Sequence, residues 1–272
     1  MAEQPLEPRP TDSGHWRVRL AAGLPAALLT TVVGTALVLA AATAPIAVAV
    51  VVLVVQMALA VTTLPERHAA AAVIVGSAVS TALTWHPDWL EAAAPEIGGY
   101  DTLSPALTGP APGLATGVLL LLVAQMRRGS AAGTVDLLTR GTGVAFVAVL
   151  LASWVAHAQT YAGAPVTVLL VAAVLGAAWS LLLAATLPNG VALLLPLLAA
   201  VAAAVAAATA LPDRPLGLAA ALGLTVGVLF MAGRECATAF EPDARRRVVW
   251  DVVLPLAFVG PVTFVLTQVT GA

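Results

Sequence analysis

Lysine is absent from this chain of 272 residues, so all 12 of its basic residues are arginines. Cysteine occurs once, at Cys236, which excludes an intrachain disulfide framework and a zinc site built from cysteines. That residue reads as a packed small side chain. Charged residues make up 10% of the chain, against about 25% in soluble globular domains, so too little polar surface exists to cover a globule in water. No basic stripe with interleaved aromatics is present, which excludes the usual nucleic-acid footprint. The chain also lacks a Walker motif, an HExxH pair, a nucleophile elbow and a glycine-rich dinucleotide fingerprint, and with them the common catalytic signatures. The first twelve residues are proline-rich and acidic and do not read as a signal peptide. Residues 1–15 are expected to form a disordered cytoplasmic tail.

What is present is apolar: 60% of residues are hydrophobic and the mean hydropathy is +0.98. A helix crosses the hydrocarbon core in about 20 apolar residues. Nine such windows are readable, at 20–41, 46–64, 69–85, 107–126, 141–157, 164–187, 191–211, 216–237 and 248–270. The fourth is the least clear, because Pro110 and Pro112 precede its clean apolar run. Arginine near short loops tends to stay cytoplasmic. With nine spans and the N-terminus inside, every arginine except Arg214 falls on the cytoplasmic side. The loop 86–112 carries Asp88, Glu91, Glu96 and Asp101 and no arginine, so it is expected outside, together with the C-terminus. The expectation is an all-α polytopic bundle, residues 16–272 forming a single transmembrane domain in the plasma (inner) membrane.

The spans are rich in Ala, Val, Leu and Gly, which suits close backbone packing. Short links at 42–45 and 188–190 predict antiparallel hairpins between spans one and two and between spans six and seven. Pro25, Pro196, Pro255 and Pro261 fall inside spans, and the last two are expected to bend the final helix. Two cytoplasmic connectors are expected, at 127–140 and 237–247. Within the first, 134–140 could lie as a short interfacial helix.

Ionisable or strongly polar groups inside a membrane are costly, and each is a candidate functional group. Gln56, in the middle of span two, must find a partner and reads as an interhelical link. His157, at the outer end of span five, reads as a solvated interfacial residue, with proton or substrate handling as the alternative. Near the cytoplasmic face stand Asp136, Arg140, Arg234, Glu235 and Asp251, followed by the run Arg245, Arg246 and Arg247. That run reads as a topology anchor and a contact for anionic headgroups. Carboxylates at this face are what a metal-assisted enzyme acting on lipid headgroups would need. No two of these acids share an obvious helix face, however, so ion pairing is the plainer account. No metal or cofactor is expected.

The order of segments resembles the phosphatidate cytidylyltransferase family, the membrane enzymes that make CDP-diacylglycerol. The stretch from Arg17 to Pro25 is similar to that family's opening. The helices from Gly141 to Ser153 and from Gly163 to Trp179 look like the pair that precedes its first acidic motif. The segments 211–230 and 259–264 resemble its last two helices. The family's aspartate would fall near Leu182, and its Gly-Asp-Leu-x-Glu-Ser element lands on Gly227, Val228, Leu229, Phe230, Met231 and Ala232. Both acids are replaced by apolar residues. The signature's lysines and its His-Gly-Gly element are also absent, since no histidine follows His157. A site that must hold metal and polarise two phosphates requires those groups.

The resemblance therefore implies a catalytically degenerate relative: a protein more plausibly not an enzyme, binding membrane lipids or, through 86–112, another envelope protein. The lipid or ligand contacts would be Asp136, Arg140, Arg234, Glu235, Asp251 and Arg245 to Arg247. A lipid or small-molecule transporter or flippase is the second expectation, and a phospholipid-biosynthesis transferase with an atypical site the third. Nucleic acid is not an expected partner.

Overall fold

The computed structural model describes residues 15–86, 88–89, 109–128, 133–160, 164–184, 186–187, 189–211, 215–240 and 244–270. Among them the chain is helical and contains no strand. The helices are α1 (His15–Thr43), α2 (Pro45–Thr63), α3 (Arg67–Trp85), α4 (Pro110–Arg128), α5 (Thr134–Leu150), α6 (Ser153–Thr160), α7 (Ala164–Ala184), α8 (Asn189–Thr209), α9 (Leu216–Phe240) and α10 (Ala244–Thr270). Eight stretches are long and apolar enough to cross a membrane, with α5 and α6 together making one of them, Thr134–Gln159. In α8 the apolar stretch among the described residues is the shorter Leu194–Thr209. The protein is a multi-pass, all-α membrane bundle.

Neighbouring helices alternate in direction, as their contacts require. Gln125 meets Thr134 across α4 and α5, Gly176 faces Ala199 across α7 and α8, and Phe240 stacks on Trp250 across α9 and α10. The alternation gathers Arg67, Arg127, Arg140, Arg234 and Arg247 at one end of the bundle. Pro110 and Pro112 do not interrupt the fourth span. They sit in the first turn of α4, where a helix has no use for the missing N–H.

Small residues set the packing. The alanine-rich part of α8 buries Ala200, Ala204 and Ala208 completely, one turn apart, against its neighbours. On α9, a Cβ at Gly223 would press on Val201 Cα at 2.7 Å and one at Gly233 on Pro255 N at 2.8 Å. Without the aqueous hydrophobic effect inside lipid, this backbone proximity and its dispersion energy hold the helices together. α10, the most deeply buried of the eight spans, touches α1, α2, α5, α6, α7 and α9.

Several boundaries differ from the sequence reading. α1 begins at His15, and residues 1–14 lie outside the described residues, as do 87 and 90–108 of the loop 86–112. Residues 134–140 are the first turns of α5, continuous with the span rather than a separate interfacial helix. α9 continues to Phe240 and α10 starts at Ala244, so the connector expected at 237–247 shrinks to 241–243, outside the described residues. α10 runs through both Pro255 and Pro261 as one helix. The unexpected discontinuity is in span five, which breaks at Leu151 and Ala152.

Candidate functional site

Polar groups concentrate in two places, one within the bundle and one at its arginine-rich end. The inner cluster surrounds the break between α5 and α6. There the backbone tightens to i to i−3 bonds, from Leu151 N to Ala148 O at 3.2 Å and from Ala152 N to Val149 O at 3.1 Å. Side chains from other helices complete the carbonyls. Gln56 Nε2 donates to Ala148 O at 2.7 Å, Ser80 Oγ to Val149 O at 3.4 Å, and Ser153 Oγ to Leu150 O at 2.6 Å. Thr81 Oγ1 donates to Gln56 Oε1 at 3.2 Å, so Gln56 ties α2 to α3 and α5. Gln56 can do this because it stands on the buried stripe of α2 that also holds Val48, Val52, Leu59 and Thr63.

His157 is part of the same cluster, which corrects its reading as a solvated interfacial residue: it is 1% exposed. Its Nε2 lies 3.0 Å from Gly260 O and 3.1 Å from Thr263 Oγ1, and its ring meets Phe264 edge-on at 5.3 Å. Gly260 also lets α10 lie close to the start of α6, because a Cβ there would overlap Ser153 Oγ and crowd the Trp154 ring. The span continues two residues past His157 to Gln159, whose Nε2 donates to the terminal Trp85 carbonyl of α3 at 2.8 Å, so the histidine lies about half a turn inside the span's end. Trp154 Nε1 donates to Leu256 O at 2.9 Å. The neighbouring void between α1, α2, α6 and α10 is apolar and holds about 10 Å³.

At the arginine-rich end the structure brings together Arg234 of α9 with Asp251 and Arg247 of α10. Both arginines act electrostatically on the Asp251 carboxylate. Asp251 and Arg234 line a small pocket with Gly23, Ala27 and Thr30 of α1, Ala178 of α7 and Phe230. The buried Oδ1 of Asp251 has no hydrogen-bond partner. Asp136, Arg140 and Glu235 are exposed elsewhere on this end. Among the described residues no three of His, Cys, Asp and Glu come close enough to hold a metal ion, so Asp136, Glu235 and Asp251 do not assemble the atypical metal site considered above. The side chains of Arg245 and Arg246 lie outside the described residues.

A third feature escaped the sequence reading. α3 and α4 cross in tight contact at one end and separate at the other. Gly109 and Gly113 lie so close to α3 that a Cβ at either would overlap Ser80, and at Gly109 also Thr84. The contact is still tight one turn further, where a Cβ on Gly76 would press on Gly117 Cα at 2.8 Å. Beyond it the helices splay into a groove of about 420 Å³. Its walls are Ala71, Ala72 and Val75 of α3 and Leu120, Val123 and Ala124 of α4, with His68 and Arg127 at its mouth. Val75 and Val123 are partly open to the surroundings, and Arg127 and His68 are exposed at the arginine-rich end. The glycine repeat Gly109, Gly113, Gly117 at four-residue spacing was a visible signal for the tight end. Nothing in the sequence paired His68 with Arg127.

No protein-family model, curated protein or solved structure matches the chain.

Proposed function

We propose that this protein is a non-catalytic, phospholipid-binding membrane bundle, and that the groove between α3 and α4 is where an anionic lipid sits. The groove carries the reading. Its apolar body suits an acyl chain, and its mouth presents a guanidinium to the level at which lipid phosphates lie. Volumes of about 300–1,000 Å³ are typical of small-molecule sites, and ≈ 420 Å³ falls within that range. A basic mouth between transmembrane helices is suited to anionic headgroups, and on the positive-inside reading it faces the cytoplasm. The loss of the acids that a cytidylyltransferase would need at Leu182 and 227–232 supports the non-catalytic half of the proposal.

The test is lipid retention by the full chain in nanodiscs containing phosphatidylglycerol and phosphatidylcholine. Wild type should enrich phosphatidylglycerol, and Arg127→Gln or Ala124→Leu should each remove most of the enrichment, the first by charge and the second by filling the groove. Equal retention by all three proteins overturns the site. Formation of CDP-diacylglycerol from CTP, magnesium and phosphatidic acid overturns the non-catalytic half.

A second reading is favoured by one observation, the broken span at Leu151 and Ala152. Interrupted helices around a central polar cluster are a feature of transporters. Substrate-dependent flux in proteoliposomes that is lost in Gln56→Leu would support that reading, and flux insensitive to Gln56 would remove it.

A further inference from the structure

The length and the volume of the α3–α4 groove together say how many acyl chains it holds. Its walls run from His68 to Val75 on α3 and from Arg127 back to Leu120 on α4, seven residues along each helix. At about 1.5 Å per residue the groove is about 10 Å deep. Its floor is closed. Just past Val75, a Cβ on Gly76 would press on Gly113 O at 2.7 Å and on Gly117 Cα at 2.8 Å, so no chain passes between the helices there. A hydrocarbon zigzag of ~1.5 Å bonds advances about 1.3 Å per carbon. One chain therefore places about eight carbons between mouth and floor.

Eight methylenes do not fill the space. A methylene occupies about as much room as a water's ~30 Å³ share of the liquid. The groove's ≈ 420 Å³ therefore holds about 14 methylenes, nearly two runs of the available length. Below the mouth every wall residue is Ala, Val or Leu, so no polar group interrupts either run. A single chain would leave part of that wall without dispersion contacts. We propose that the groove holds the two acyl chains of one diacyl lipid side by side over their first eight carbons or so, and selects two-chain over single-chain anionic lipids. This rests on the reading of the groove as an anionic-lipid site and names the chain architecture it takes. The side left open at Val75 and Val123 is where chains of ordinary membrane length turn out into the bilayer above the floor.

The discriminating pair is dioctanoyl phosphatidylglycerol and hexadecanoyl lysophosphatidylglycerol, equal in charge and in acyl carbons. The first lays all of those carbons in the groove, the second only about half. Native mass spectrometry of the full chain, loaded from micelles with equal amounts of each, should find the two-chain lipid enriched several-fold. Ala71→Phe, at an exposed position on the wall, puts a ring in the room of the second run and should abolish the enrichment while anionic lipid is still retained. Arg127→Gln should lower both lipids together. Equal retention of the two lipids by wild type, still dependent on Arg127, overturns the two-chain proposal and leaves a single-chain anionic site. Enrichment that persists in Ala71→Phe also overturns it, because the preference then arises outside the groove. Retention of both lipids undiminished in Arg127→Gln overturns the groove reading itself, and this proposal with it.

Discussion

The cluster around the α5–α6 break and the arginine-rich end are both polar, but they treat their polar groups differently. In the first, donors from α2, α3 and α6 reach the carbonyls at the break, and His157 spans the gap to Gly260 and Thr263. In the second, a carboxylate oxygen is left without a donor beside a cavity, and a cationic mouth opens onto an apolar groove. Buried polar groups inside a membrane are tolerated where the fold supplies partners. Where it does not, space for an external partner is present. The difference separates polarity that holds the bundle together from polarity that is available for binding.

The sharpest way to break this contrast is to remove the tight contact that shapes the groove. Gly113→Leu would drive a side chain into Ser80 and the Gly76 backbone, and overpacking of this kind costs about 3 kcal/mol. A thermal melt of the purified variant should show the largest loss of the series, together with loss of bound anionic lipid. Gln56→Leu should come next, since it strips donors and acceptors from Ala148 O and Thr81. Interhelical bonds in membranes are worth roughly 0.6–2 kcal/mol, so the melting temperature should fall while lipid retention is unchanged. His157→Phe keeps the ring contact with Phe264 but loses the bonds to Gly260 and Thr263. Its melting temperature should fall by less than that of Gln56→Leu, at about 0.6 kcal/mol. Arg127→Gln, at an exposed position, should shift stability by no more than ~0.5 kcal/mol while changing lipid retention. If a variant in the inner cluster altered lipid binding as strongly as Arg127→Gln, the separation between the two regions would fail.

Much of this architecture was legible in the sequence. The apolar windows gave the helices and their alternation, and the arginines marked one end, because hydropathy and loop charge are local properties. Gln56 was readable as an interhelical link, since a mid-span amide has few alternatives. The break at Leu151 and Ala152 was not readable. The local residues are ordinary helix formers, and the interruption is stabilised by Gln56 and Ser80, distant in sequence. His157 was misjudged for a related reason: two further residues of the same span lie beyond it, so a position that looked like the edge is interior. Arg234 and Asp251 were named as candidates, but their meeting in one pocket depends on the pairing of α9 with α10. The groove was hidden because His68 and Arg127 belong to different spans and meet only through the Gly109, Gly113 and Gly117 contact that fixes how α3 and α4 diverge.

The most direct test of the central claim is the amount of phosphatidylglycerol retained by wild type and by Ala124→Leu in nanodiscs of fixed composition. The substitution keeps every charge and fills the groove. A clear loss of bound anionic lipid, with an unchanged melting temperature in lipid-free detergent, is the result this account predicts. Retention equal to wild type would contradict it, because the lipid would then be held by surface charge and not by the groove.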